Sequence, residues 1–181
     1  ALNILRLALL CYEQIHAAGV VHLDAKPENL FVSTDHRSVT VLDFGISRFS
    51  GSHLDVLIGT PAFMAPELIR APSSPISVEP TCDLYSLAVI AFVAIANKFP
   101  YGSFSSDVPL NALFPMILFN PLDPLSSAVS FRVPSGLDDV FSIALERDPT
   151  NRFQSAAAFR LALESVLKVD PTLGFTFALD Y

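Results

Sequence analysis

Near the start of the chain, Asp24, Lys26, Asn29 and Asp43 are side chains of the types that phosphoryl chemistry requires. Asn and Asp oxygens suit a hard divalent ion such as Mg²⁺, which keeps its other coordination positions for water and phosphate oxygens. A carboxylate such as Asp24 can accept a proton from an attacking hydroxyl. An ammonium such as Lys26 can offset negative charge on a phosphoryl group in transfer. Two acids, an amide and a lysine near turns are also an ordinary surface arrangement, so the backbone that places them decides between the two readings.

That backbone reads as a hairpin. Leu30-Phe31-Val32 and Val39-Thr40-Val41-Leu42 are short β-type runs separated by the polar stretch Ser33 to Ser38. With the turn centred on His36, Leu30 faces Leu42 and Asn29 faces Asp43, about 5 Å apart. An amide oxygen and a carboxylate then converge at the open end of the hairpin, with Asp24 and Lys26 in the loop before it. Upstream, Leu2, Leu5, Leu9, Tyr12 and His16 recur at helical spacing, Ile4, Cys11 and Ile15 widen the stripe, and Gly19 stands where a left-handed cap belongs.

Downstream, Phe44 to Pro66 reads as a long loop and Pro72 to Pro80 as a surface loop rich in proline and serine. Cys82 to Ala96 is an apolar helix. Phe99 to Val133 is mostly irregular, with a helix expected near Leu110 to Phe119. Ser135 opens a capping box with Asp138, and Leu137, Val140, Phe141, Ala144 and Leu145 form an apolar face. Asp148-Pro149 ends that helix. A last helix runs from about Ser155 to Lys168, followed by a frayed tail.

Composition narrows the function classes. The 181 residues hold 11 Lys and Arg against 18 Asp and Glu, a formal charge of −7, the wrong sign for neutralising nucleic-acid phosphates. With 51% hydrophobic and 16% charged residues, disorder is excluded, and the apolar excess implies either a membrane span or a surface covered by another domain. The longest charge-free helical stretch, Leu84 to Asn97, falls short of the roughly 20 residues a span needs. In Val108 to Leu122, Pro109, Pro115 and Pro121 break a membrane-length helix. No span is expected. A chain opening at Ala1 inside a helical pattern, without a signal-peptide layout, reads as an excised piece. Cys11 and Cys82 have no CxxC partner and read as free buried thiols in a reducing compartment, with no metal cluster. His16, His36 and His53 have no partner at ligand spacing.

The run His22-Leu23-Asp24-Ala25-Lys26-Pro27-Glu28-Asn29-Leu30 resembles the catalytic loop of protein kinases, usually H-R-D-L-K-P-E-N. Asp43-Phe44-Gly45 matches the DFG motif. Gly59-Thr60-Pro61 and Ala65-Pro66-Glu67 match the end of the activation segment. Asp83-Leu84-Tyr85-Ser86-Leu87 resembles the start of the family's buried central helix, and Asp148-Pro149-Thr150-Asn151-Arg152-Phe153 its late D-P-x-x-R-[FP]. An ordered series of this kind is far more specific than any one motif.

The resemblance implies a mainly α fold, a protein-kinase C-terminal lobe over residues 1–169 with a small antiparallel hairpin carrying the catalytic loop and DFG, and a tail over 170–181. It implies a serine/threonine kinase using ATP and Mg²⁺ on a protein substrate in the cytoplasm. Asp24 would be the catalytic base, Lys26 would contact the γ-phosphate, Asn29 and Asp43 would hold Mg²⁺, and Thr60 would be a substrate-platform residue. His22 would be a packed loop residue, Glu67 and Arg152 a buried ion pair, and Asp83 an acceptor for the catalytic-loop backbone. The chain has no G-x-G-x-x-G loop and no V-A-I-K lysine, so the nucleotide-covering lobe is expected outside it and the isolated chain is expected to be inactive. Leu23 replaces the usual Arg and Ala88 a common Gly; Arg48 is the nearby cation that could substitute for the former. The compact activation segment and Arg152-Phe153-Gln154-Ser155-Ala156 are similar to bacterial kinases of eukaryotic type. The alternative from another class is a pseudokinase or scaffold that uses the fold as a binding module.

Overall fold

The computed structural model describes residues 1–70, 76–102 and 108–169. Helix α1 (Leu2–Ala17) buries Leu5, Ala8, Leu9 and Tyr12, one face at helical spacing. It stops where Gly19 takes a left-handed φ of 75°. Strand β1 (Val20–Val21) leads into the loop of Asp24 and Lys26, and a 3-10 turn follows over Pro27–Asn29, opened by proline's fixed φ. Strands β2 (Leu30–Val32) and β3 (Val39–Val41) form the expected hairpin. The stretch from Phe44 to Pro66 is not a plain loop: it holds β4 (Arg48–Phe49), β5 (His53–Leu54) and a 3-10 turn at Pro61–Phe63. Then come α2 (Pro66–Ile69), β6 (Ile76–Ser77), α3 (Thr81–Ala96), α4 (Leu110–Phe119), α5 (Leu125–Ala128), α6 (Leu137–Ala144) and α7 (Ala156–Val169).

The strands form three separate antiparallel ribbons, β1 with β4, β2 with β3 and β5 with β6. Helix α3 lies at the centre, packed by α1, α5 and α6, while α1 packs most extensively on α7. Because α3 is apolar on nearly every side, it is a core helix in the physical sense. No helix among the described residues is long and apolar enough to cross a membrane. Both cysteines are unpaired, Cys82 buried and Cys11 partly so.

The hairpin register differs by one residue from the sequence expectation. Leu30 lies opposite Val41, Phe31 opposite Thr40 and Val32 opposite Val39. The reason lies in the turn: Ser33 N–H donates to the Ser38 carbonyl, closing a four-residue loop with no central residue. Asp35 Oδ1 accepts from Ser33 Oγ and Arg37 N–H, and His36 takes a φ of 57°. Asn29 therefore lies opposite Leu42, whose N–H donates to the Asn29 carbonyl at 2.9 Å, and Asp43 follows just beyond the ladder.

Two further expectations change. Ser135 does not cap α6: Gly136, at a φ of 86°, is the capping residue, and Asp138 accepts from the Ser126 N–H and hydroxyl of α5 instead. A tertiary partner has displaced the local one. Asp148 caps the 3-10 turn Pro149–Asn151 through Thr150 N–H, and α6 itself ends earlier, at Ala144. Helix α4 occupies the expected span but continues through Pro115, whose missing N–H removes one backbone bond while Leu113 and Ile117 stay buried on the core side. The expected tail, 170–181, lies outside the described residues, as do 71–75 of the proline-rich loop and 103–107 of the irregular stretch.

Candidate active site

The loop between β1 and β2 is held from below by Asp83, in the first turn of α3. Its Oδ2 accepts from His22 N–H and its Oδ1 from Leu23 N–H, both at 2.8 Å, and the residue is 1% exposed. Leu23 takes a φ of 69°, a conformation a leucine adopts only when its surroundings impose it. His22 is fully buried. Its Nε2 lies 2.9 Å from the Leu42 carbonyl, and its Nδ1 accepts from Asp24 N–H at 3.2 Å. Both contacts are satisfied at once by the neutral ring with its proton on Nε2. The His22 ring thereby joins the loop to the strand end that carries Asp43.

Asp24 is the point of convergence. Its Oδ2 accepts from Lys26 Nζ at 2.6 Å and from Asn29 Nδ2 at 3.2 Å; its Oδ1 accepts from Thr60 Oγ1 at 2.6 Å. Burial alone pushes the Asp24 carboxyl up, but the hydrogen bonds from Lys26, Thr60 and Asn29, with the charge of Lys26, outweigh burial and hold it below the ordinary carboxylate value. The same contact to Asp24 raises Lys26 above the ordinary lysine value. Both groups are therefore charged at neutral pH. Thr60 reaches Asp24 because Gly59 precedes it: at a φ of 109°, any Cβ on Gly59 would stand 2.7 Å from the Leu23 carbonyl oxygen.

Asn29, buried at the start of the hairpin, donates its amide to the Asp24 carbonyl at 2.9 Å as well as to the carboxylate. Its nitrogen is committed, so Oδ1 is the atom left for a cation. Asp43, at a φ of 59°, accepts Gly45 N–H on Oδ1 at 3.1 Å, leaving Oδ2. Two hard oxygens from neighbouring strand ends are the donor set a Mg²⁺ ion takes, and by that chemistry these residues fit it. Among the described residues there is no cluster of three His, Cys, Asp or Glu side chains suited to a metal.

Away from this centre, Arg152 is buried with all five of its donors used. It makes two bonds to the Glu67 carboxylate at 2.6 and 2.7 Å, and others to the carbonyls of Glu146, Thr81 and Arg147. Its guanidinium also sits 4.9 Å from the Tyr85 ring centre. This pair ties α2, the start of α3 and the chain after α6 together. Sequence reasoning missed one participant: His16, in the last turn of α1, places Nε2 at 2.9 Å from Asp83 Oδ2. The two are 67 positions apart, beyond any local pattern, although the Tyr12 to His16 face does point into the core.

A mainly helical body carrying a loop and hairpin of this kind defines a protein-kinase-like fold. Consistent with that, the structure superposes on the kinase PK-1 of Cydia pomonella granulovirus with a TM-score of 0.71 over 87% of this chain and 55% of the viral one, at 21% identity. The chain belongs to the protein kinase domain family, whose profile matches residues 2–163. It is 36% identical over 160 residues to serine/threonine-protein kinase Pkn1 of Myxococcus xanthus. It is 33% identical over 158 residues to PknL and 32% identical over 162 residues to PknB, both of Mycobacterium tuberculosis. These alignments cover 84%, 83% and 86% of this chain but 22%, 36% and 24% of the relatives, so the chain spans a minor part of their length.

Proposed function

We propose that these residues form the large catalytic lobe of a serine/threonine protein kinase, and that the complete protein transfers the ATP γ-phosphate to a Ser or Thr hydroxyl of a protein substrate. The observation that carries this reading is the Asp24 carboxylate, bonded by Lys26, Thr60 and Asn29 within 2.6–3.2 Å. Asp24 accepts the proton of the substrate hydroxyl as its oxygen bonds to phosphorus and the bond to the nucleoside diphosphate breaks. Lys26, ion-paired to Asp24, brings positive charge to the transferring group. Thr60 orients the Asp24 carboxylate and joins the surface on which the substrate lies.

Asn29 Oδ1 and Asp43 Oδ2 would hold Mg²⁺, which when bound neutralises phosphate charge. The alternative of a pseudokinase or scaffold is not favoured, since a display surface has no physical need for this set of oxygens and an amine, and the relatives are kinases. Two unpaired thiols and the demand for ATP suit a cytoplasmic site of action.

In the complete enzyme, Asp24→Asn keeps the side-chain shape and removes the base, and kcat should fall by about 10²- to 10⁴-fold. Asp43→Ala removes a carboxylate beyond the β2–β3 ladder without touching the ladder itself, so activity should collapse while circular dichroism stays that of the wild type. Folded variants that both keep wild-type turnover would overturn the assignment.

A further inference from the structure

The turn that follows Thr60 is too short to satisfy its own end. Within Pro61–Phe63, Phe63 N–H donates to the Thr60 carbonyl at 3.0 Å and Met64 N–H to the Pro61 carbonyl at 3.3 Å, and the chain then runs extended from Met64. The next two carbonyls, of Ala62 and Phe63, are the orphans that a helical end leaves. Residue 66 is a proline, so the turn's own bonding pattern offers the Phe63 carbonyl no N–H. Both carbonyls are taken by hydroxyls from outside the turn. Ser86 Oγ, in α3, donates to the Phe63 carbonyl at 2.7 Å, and Tyr101 Oη, in the segment after α3, donates to the Ala62 carbonyl.

The two hydroxyls hold differently. Ser86 Oγ also lies 3.2 Å from the Cys82 carbonyl of its own helix, so its proton has a local alternative. Tyr101 reaches the turn from a separately fixed framework. Its carbonyl accepts from Asn120 Nδ2, at the end of α4, at 3.2 Å, and the neighbouring Pro100 carbonyl accepts Asp123 N–H at 2.8 Å. Its ring, 1% exposed, stacks on Phe99 at 5.5 Å, and Phe99 meets Phe63 at 5.8 Å. Pro61, Ala62 and Phe63 are themselves only half-buried, so the turn that Tyr101 holds from the core side also presents surface to a chain lying beside Thr60.

We infer that Tyr101 is a positioning residue for the protein substrate, its hydroxyl holding, through the Ala62 carbonyl, the turn that extends the surface beside Thr60. This rests on the kinase reading proposed above. Thr60 bonds Oδ1 of Asp24 and Asn29 bonds Oδ2, so the turn and the nucleotide side approach Asp24 through different oxygens. Loss of the Tyr101 hydroxyl should therefore raise the KM for a peptide substrate and leave the KM for ATP nearly untouched. A mere tie between the turn and the segment after α3 would lower stability and leave both KM values of the folded enzyme alone.

The test is made on the complete enzyme with a synthetic serine peptide that the wild type phosphorylates. Tyr101→Phe deletes the hydroxyl and keeps the ring stack; it should raise the peptide KM by about 3- to 10-fold, the scale of one neutral hydrogen bond, with the KM for ATP changed less than about threefold. Lys98→Met is the control for a loosened segment, since it breaks the 2.8 Å bond from Lys98 to Asp123 without reaching the turn. Its peptide KM should stay within about twofold of the wild type, as expected for a half-exposed ion pair. A folded Tyr101→Phe enzyme with an unchanged peptide KM, or a Lys98→Met enzyme that loses as much, overturns the inference. Should Tyr101→Phe fail to fold, Asn120→Ala, which frees the Tyr101 carbonyl from α4 and keeps ring and hydroxyl, should raise the peptide KM in the same direction; no rise overturns the inference. If the wild-type enzyme transfers no phosphate, the kinase reading fails. The amide proton shifts of Phe63 and Met64 then decide separately: they must move in Tyr101→Phe and hold in Lys98→Met, and unmoved shifts in Tyr101→Phe overturn the hold of Tyr101 on the turn.

Discussion

At the residue scale, the site depends on the charge state of Asp24. Burial works against its ionised form, and the bonds from Lys26, Thr60 and Asn29 more than reverse that effect. A folded value below the unfolded one, about 3.9, means the stability that Asp24 contributes is fully present above that pH and is lost as pH falls through the folded value. The Asp24 carboxylate therefore stays ionised through the neutral range. Thr60→Val removes one of the three side-chain donors, so the Asp24 carboxyl titration, followed by ¹³C NMR with labelled aspartate, should shift upward. An unmoved inflection would show that the Thr60 contact contributes nothing to Asp24. Arg152 makes the opposite kind of prediction, about stability alone. Arg152→Ala leaves the partly buried Glu67 carboxylate without its cation and removes a donor from three backbone carbonyls, at a cost of about 3–5 kcal/mol. Denaturant titration should show that loss; a change under 1 kcal/mol would mean the pair is compensated elsewhere.

At the scale of elements, the segment from Asp43 to Glu67 is tied by strands. Ribbon β1–β4 is extended by Ser50 N–H to the Gly19 carbonyl, and β5–β6 by Gly51 N–H to the Val78 carbonyl and Val78 N–H to the Ser52 carbonyl. Leu23 supplies no cation for a phosphate here. Arg48, the candidate substitute, turns Nη1 of its guanidinium to the carbonyls of Ile46 and Ser47. Ser50 Oγ donates to Glu79, where a phosphate would meet a carboxylate, and Ser52 Oγ is buried. Replacing both serines by alanine in the complete enzyme should accordingly change kcat/KM by less than about threefold; a loss near 100-fold, restored by phosphorylating the wild type, would make the loop a phosphate switch. These ribbons were not legible in the sequence, because two-residue strands carry no alternation to detect. The hairpin was legible, since its strands are apolar β-type runs and its turn is polar, but its register was not: the Ser33 and Asp35 side chains set the loop length. Asp138 misled for a related reason, as a tertiary donor on α5 outcompeted the local cap.

For the whole molecule, the residues that converge on Asp24 were readable as an ordered series of motifs, whereas the support of Asp83 by His16 required the fold. The apolar excess of the composition also finds a location. Phe31 is 62% exposed, Leu42 43% and Phe44 46%, all on or beside the hairpin that ends at Asn29 and Asp43. Apolar surface of this size next to a polar site is unfavourable unless something covers it. In the kinase reading, the cover is the lobe that also contributes the glycine-rich loop and the strand lysine, neither of which occurs within these 181 residues. Binding energy for the nucleotide is then divided between two bodies, and this one holds the metal-side oxygens and the base without the grip on the α- and β-phosphates. Orientation is what makes transfer fast, so half the contacts should leave far less than half the rate. The 181 residues alone should therefore bind ATP more weakly than the roughly 1 μM to 1 mM range of enzyme KM values and incorporate no phosphate into a protein substrate. Calorimetry with Mg²⁺-ATP and a radiolabel transfer assay on the isolated chain check both; submillimolar binding with turnover would show that the site is complete as it stands.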